Sequence, residues 1–307
     1  MSMLTQIDPE RRHRWAVILL WLIPALWSSN YIIARLADRV IPPHTMAFGR
    51  WLVAFTLLLP LSITSLRRLW PLWRREWRQM VMLGALGMYI CGAWVYIAGQ
   101  TTTATNIGLI YATTPVGIAL ATSWLARERV PAAHWIGMLL ALSGVLFVVA
   151  RGDPGVLLGV RFTSGDLWLV LCALSWIGYS VLNRYWPSVL DPAARLACIT
   201  FGGLVILLPF VVYEVVAQSY VPGPRAFALI AAAGLMPGFL SYLAYAFMLS
   251  ELGAPKAALV TYLAPVYGSF SAWWLLDEPP HWYHLVGAAL ILPGIWFATR
   301  PRPSASA

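Results

Sequence analysis

Apolar residues in this chain come in long continuous blocks separated by short charged stretches, without the period-two alternation of barrel strands. Asp, Glu, Lys and Arg are absent from 15–34, 51–66, 130–150, 167–183, 196–213, 226–250, 257–276 and 279–299. They are also absent from the 48 residues between Arg78 and Arg127. A membrane-crossing helix needs about 20 apolar residues, so that long block holds two helices and a turn. Continuous apolarity predicts helices, whose backbone groups are satisfied within each segment. The pattern predicts ten spans: 15–36, 44–63, 79–98, 104–125, 132–150, 166–186, 195–214, 226–249, 255–276 and 282–299. Short loops make the whole chain, 1–307, a single all-α polytopic membrane domain.

The blocks repeat. Residues 98–151 align with 248–301 without a gap at an offset of 150, pairing Pro115-Val116 with Pro265-Val266 and Trp124-Leu125 with Trp274-Leu275. The same register pairs Glu128 with Glu278, His134 with His284, Gly137 with Gly287 and Gly144 with Gly294. At an offset of 149, Trp27 pairs with Trp176, Arg35 with Arg184, Pro43 with Pro192 and Pro60 with Pro209. The copies are two five-helix repeats, 15–150 and 166–299. Five is odd, so the second copy is expected to run inverted relative to the first, as in alternating-access transporters.

Composition agrees with this class: 60% of residues are hydrophobic and 11% charged, with a mean hydropathy of +0.71. Soluble domains carry about 45–50% apolar and 25% charged residues. The net charge of +9 raises the question of nucleic acid, and its distribution answers no. With the N-terminus in the cytoplasm, fifteen of the 21 basic residues fall on that side and five on the other, with Arg50 inside a span. This positive-inside bias predicts cytoplasmic N- and C-termini in a bacterial cytoplasmic (inner) membrane. The stretch RRLWPLWRREWRQ (67–79) is expected to be a cytoplasmic loop anchored in anionic headgroups. Residues 1–25 start basic and turn apolar but lead into WSSNYIIAR rather than a cleavage site, so they are expected to be a retained first helix. Cys91, Cys172 and Cys198 all fall inside spans and imply no disulfide framework.

Most repeated residues suit a structural frame. Glu128 and Glu278 precede the fifth and tenth helices, where a carboxylate facing the positive end of the dipole is worth about 0.3–1 kcal/mol. The glycine pairs recur every seven residues and suit close helix packing in lipid. Pro115 and Pro265 fall within the fourth and ninth spans, and paired interruptions of this kind point to a binding site. Ionisable residues inside spans are functional suspects because they are costly there, yet none lies at a midplane. Arg50 is two turns into the second span and is expected to snorkel outward. Glu214 ends the seventh span. With no embedded acid to relay protons, facilitated diffusion or weak proton coupling is expected. HEXXH and any arguable Ser-His-Asp set are missing, so no catalytic activity, metal or cofactor is expected.

The residues WSSNYIIAR (27–35), FGRWLVAF (48–55), WLARE (124–128), WLLDE (274–278) and both Pro-Val pairs carry a resemblance. Over essentially its full length the chain resembles the drug/metabolite transporter superfamily, specifically the ten-helix EamA-type exporters. The resemblance implies a central cavity among the first, third, fourth, sixth, eighth and ninth helices, with the fifth and tenth peripheral. Within the superfamily the chain looks most like the amino-acid exporters.

The expected cavity lining is Asn30, Tyr89, Trp176, Tyr179, Asn183, Tyr242, Tyr245 and Tyr262, polar or aromatic groups near mid-depth that each need a partner or water. Neutral aromatic walls suit small zwitterions. Asn106 and Lys256 occupy equivalent places at the starts of the fourth and ninth spans and are candidates for a gate or a substrate-carboxylate contact. Function is expected where the copies disagree: Asn30 against Tyr179, Gly92 against Tyr242, Asn106 against Lys256. The expected activity is secondary export of small neutral metabolites, amino acids first, including aromatic and hydrophobic ones, by alternating access. Efflux of hydrophobic or cationic drugs is the alternative. The partners are a small-molecule substrate and the lipid bilayer, and the expected state is monomer or homodimer.

Overall fold

The computed structural model describes residues 8–37, 40–125, 127, 130–276 and 279–299. Glu128 and Glu278, expected to cap helix corners, lie outside the described residues. Helix α1 spans Pro9–Ala37, α2 Pro43–Arg68, α3 Trp70–Gly99, α4 Thr105–Leu125 and α5 Ala132–Val149. Helix α6 spans Ser164–Tyr185, α7 Pro192–Ala217, α8 Pro224–Leu252, α9 254–276 and α10 Trp282–Thr299. Among the described residues there is no strand, and eight helices, α2 to α8 and α10, are long and apolar enough to cross a membrane. The protein is an all-α polytopic membrane protein.

The starts of the helices follow from local chemistry. Pro lies in the first turn of α2, α7 and α8, where its missing N–H costs nothing. Asp191 caps α7 by accepting from the Ala193 and Ala194 amides at 3.1 Å. Thr163 and Asp166 form a capping box at the start of α6. The stretch 67–79, expected as a loop, is instead helical: α2 runs to Arg68, and α3 begins at Trp70 with a single 3₁₀ turn at Arg74–Glu76. Pro71 in the first turn of α3 favours helix, and the many arginines disguise it in a hydropathy reading.

Helices α5 and α10 pack along each other's length. Their glycines form the seam, since a methyl on Gly137 would lie 2.4 Å from the Gly294 carbonyl oxygen. One on Gly144 would lie 2.7 Å from the Gly287 carbonyl oxygen. The residue number rises on one helix as it falls on the other, so α5 and α10 are antiparallel.

Four helices depart from α-geometry, in matching pairs. Residues Ala85–Trp94 of α3 and Gly234–Leu240 of α8 are π-helical and lie 150 positions apart in the repeat register. Helix α4 is broken at Thr113, and α9 passes through a 3₁₀ stretch, Leu259–Leu263. In both, the helix resumes with Pro as its second residue, Pro115 after Thr114 and Pro265 after Ala264. The carbonyl that each proline leaves without its usual amide is satisfied locally. The Thr114 hydroxyl donates to Tyr111 O at 2.8 Å, and the Ala264 amide donates to Thr261 O. Such local repair is what lets Pro persist at membrane depth.

Side-chain contacts define two ends of the bundle. At the N face Arg12 of α1 pairs with Glu251 of α8, and Arg184 of α6 donates to Ser250 O at 3.1 Å. Lys256 of α9 donates to Thr299 O of α10 at 3.3 Å. At the opposite face Glu214, at the end of α7, holds the start of α2. It accepts from the His44 and Thr45 amides at 3.0 and 2.8 Å and from the Thr45 hydroxyl at 2.9 Å, with His44 Nδ1 at 2.7 Å. Asp166 binds Thr102 and Asn106 there, the latter through Nδ2 at 2.7 Å, and so ties α6 to the α3–α4 turn. Both carboxylates are buried at helix ends and accept hydrogen bonds on both oxygens.

Candidate functional site

Midway between these faces the bundle is filled by aromatic rings. Trp176 and Tyr179 are three residues apart on α6, as are Tyr242 and Tyr245 on α8, so each pair projects from one helix face. Trp176 stacks on Tyr179 at 5.4 Å between centroids and lies 5.2 Å from Tyr245 and 6.1 Å from Tyr242. Trp27 of α1 closes the group at 5.7 Å from Trp176 and 5.5 Å from Tyr245. Trp51 of α2 meets Tyr242 edge-on at 4.8 Å. Tyr245 and Ser180 share a hydrogen bond of 3.1 Å. Offset and edge-on aromatic pairs add about 0.5–1.5 kcal/mol each beyond area burial, so the layer is cohesive.

Gly92 and Tyr242, equivalent positions that differ between the halves, both face Trp51. A methyl on Gly92 would lie 2.7 Å from Trp51 Nε1, the atom that donates to Met88 O at 3.0 Å. One half therefore vacates the space that the Trp51 indole fills, while the other supplies the tyrosine that the indole packs on.

Of the aromatic residues expected to line the cavity, two carry a buried polar atom with no hydrogen-bond partner among the described residues: Trp176 Nε1 and Tyr262 Oη. An unpaired buried donor costs about 1–3 kcal/mol, so such atoms mark where a ligand's acceptor can be received. Tyr262 sits in the 3₁₀ stretch of α9, just before Pro265.

The other expected lining residues are distributed. Asn183 borders a cavity of about 300 Å3 between the aromatic layer and the N face, together with Arg12, Arg195, Leu249 and Glu251. The Asn183 carbonyl accepts from Arg195 at 2.7 Å. Tyr89 belongs to a second cluster, 4.9 Å from Phe210, 5.5 Å from Trp94 and 6.3 Å from His44. Asn106 and Lys256 occupy opposite faces. The side-chain amide of Asn106 is engaged internally: Nδ2 donates to Asp166 Oδ2 and to Arg161 O at 3.0 Å, and Oδ1 accepts from the Thr103 hydroxyl at 3.1 Å.

Arg50 corrects the sequence expectation. It does not snorkel; it is 4% exposed. The cause is its register: Met46, Arg50, Ala54, Leu58 and Ser62 recur every four residues and are all buried, so Arg50 lies on the packed stripe of α2. Its guanidinium lies 4.4 Å above the Trp51 ring. Its Nη1 donates to Asn30 Oδ1 and Tyr96 Oη, both at 3.4 Å, and Tyr96 Oη donates to Asn30 Oδ1 at 3.2 Å. A cation, an amide and a phenol thus sit beside the aromatic layer on the side away from the N-face cavity. The small residues Ala54 and Ser62 on the same stripe were the available signal that this face of α2 is inward.

Comparison with known proteins follows the same outline. The sequence matches the EamA-like transporter family twice, over residues 14–150 and 163–300. An uncharacterized transporter of Archaeoglobus fulgidus is 23% identical over 92% of this chain and 96% of its own. An aromatic amino acid exporter, YddG, of Ancylobacter novellus is 22% identical over 93% of this chain and 95% of its own. An S-adenosylmethionine/S-adenosylhomocysteine transporter of Chlamydia trachomatis is 24% identical over 89% and 86%. One solved crystal structure superposes with a TM-score of 0.74 at 19% identity, covering 92% of this chain and 96% of that one.

Proposed function

The chain belongs to the EamA-like transporter family, and from that premise we propose that it exports small neutral metabolites, amino acids with aromatic or hydrophobic side chains above all, by alternating access. It is a membrane transporter and not an enzyme. The observation that carries the substrate reading is the aromatic layer of Trp27 with the buried Trp176, Tyr179, Tyr242 and Tyr245, whose Trp176 Nε1 lacks a partner among the described residues. Aromatic faces receive an apolar side chain, while unpaired donors receive its polar end. The name of the Ancylobacter relative agrees with this reading.

The inverted arrangement of the halves is supported by the antiparallel run of α5 and α10, which are equivalent helices crossing at equivalent glycines. Equivalent helices run antiparallel when the axis relating the halves lies in the membrane plane. The N face is assigned to the cytoplasm of a bacterial inner membrane, following the basic-residue bias. The chain works as a monomer or homodimer. Rocking of the halves would break the Arg12–Glu251 face and the Glu214 and Asp166 face in turn. Among the described residues no carboxylate lies among the rings of the aromatic layer, and the reading is facilitated or weakly proton-coupled flux.

Purified protein in proteoliposomes loaded with single amino acids tests both parts. Saturable L-phenylalanine or L-tryptophan flux that persists without a pH gradient is the expected result. Absence of saturable flux for every amino acid overturns the substrate reading, and flux that competes only with hydrophobic cations selects drug efflux instead. Strict dependence on a pH gradient overturns the uncoupled reading.

A further inference from the structure

We propose that Arg50 is the receptor for a carboxylate on the transported solute. The inference rests on the transport reading above and names the charged end of the ligand that the aromatic layer would hold. Three observations carry it. Arg50 is buried, and among the described residues no Asp or Glu forms an ion pair with it. Its polar contacts are two long bonds from Nη1 to neutral groups, and its Nε is buried without a partner. A guanidinium has five donors, so most of its hydrogen-bonding capacity is unmet.

The second observation is the duplication itself. The position equivalent to Arg50 in the other half is Ile199, at the offset of 149. The two backbones are used alike: Gly84 of α3 packs on Ile199 O, and Gly234 of α8 packs on Arg50 O. The frame accepts an aliphatic side chain at this place, so packing does not require the charge. A buried cation without a counter-ion is costly in a membrane protein, and that cost is offset when an anion arrives.

The third is placement. Trp51 lies under the guanidinium and against Tyr242, which joins it to Trp27 and Trp176. A solute with its carboxylate on Arg50 has its side chain within reach of the aromatic layer. The fork of Arg matches a carboxylate in a two-bond arrangement that Lys does not reproduce. The ligand class is therefore a monocarboxylate with an apolar or aromatic body, zwitterionic or not.

The test uses the full chain in proteoliposomes with three probes: L-phenylalanine, 3-phenylpropionate, which lacks the amine, and 2-phenylethylamine, which lacks the carboxylate. Arg50→Gln should raise KM for the transported carboxylates about 10- to 100-fold and leave any 2-phenylethylamine flux within about twofold. Arg50→Lys, which keeps the charge, should give a smaller rise and carries the test if the Gln variant does not fold. An unchanged KM for carboxylates, or an equal loss for all three probes, overturns the inference while leaving amino-acid export standing. Wild-type flux of 3-phenylpropionate but of no amino acid overturns the amino-acid reading and keeps the Arg50 inference if Arg50→Gln abolishes it. A wild type that moves neither 3-phenylpropionate nor any amino acid overturns both.

Discussion

Trp27 and Trp176 occupy equivalent places in the two halves, 149 residues apart, and their rings meet edge to face at 5.7 Å. A residue that touches its own counterpart lies on the line about which the halves are related. Under the proposed alternating access, movement of one half against the other would be felt at this contact first.

Trp176→Ala and Tyr242→Ala are expected to lower L-phenylalanine flux by about tenfold or more while folded protein is still recovered. Each side chain is almost wholly buried, and truncating such aromatics costs about 3–5 kcal/mol when they serve only as core. Size-exclusion profiles beside flux rates separate the two roles. Loss of the monodisperse peak, with normal specific flux in what survives, would assign the rings to packing alone.

The α5–α10 seam should behave in the opposite way. A Leu at 144 cannot be accommodated, because even a methyl there would come within 2.7 Å of a backbone oxygen on α10. Gly144→Leu is expected to cost about 1–3 kcal/mol or more from overpacking. It should lower the melting temperature in detergent and leave KM unchanged in the folded fraction, since the seam lies apart from the aromatic layer. A changed KM with an unchanged melting temperature would place the seam in the transport path.

Glu214 accepts from both amides that open α2 as well as from two side chains. Charge-assisted bonds to a helix N-terminus combine hydrogen bonding with the dipole. Glu214→Gln should therefore destabilise the protein by about 1–3 kcal/mol, read as a fall in thermal stability. A double-mutant cycle with Thr45→Val should give a coupling energy above about 0.5 kcal/mol. Additive losses would show that the carboxylate acts elsewhere.

The helices were legible because lipid imposes length and apolarity. The expected span 132–150 meets Ala132–Val149, and 166–186 meets Ser164–Tyr185. What escaped the sequence has identifiable causes. The π-helical stretches at 85–94 and 234–240 insert an extra residue per turn without leaving a mark on composition. Glu214 and Asp166 resemble interfacial charges until the fold brings His44 and Asn106 to them across 170 and 60 positions. Charge alone puts Arg50 at the interface, whereas its register puts it on the packed face. Its four-residue stripe with Ala54 and Ser62 was visible, and so was its replacement by Ile199 in the second copy.

The inversion itself is open to a direct experiment. Asp153 follows α5 and Ser188 follows α6, so one crossing separates them and they must lie on opposite sides. With the N face in the cytoplasm, Asp153→Cys should be labelled by a membrane-impermeant maleimide in intact cells. Ser188→Cys should react only after permeabilisation, against a background in which Cys91, Cys172 and Cys198 are replaced. A reporter fused after Ala307 should be active in the cytoplasm. Residues 151 and 301 are equivalent in the repeat register. An external label at 153 with an internal reporter past 301 therefore means that equivalent points face opposite compartments. Finding both on one side would leave the halves parallel and remove the structural basis for alternating access by exchange of equivalent roles.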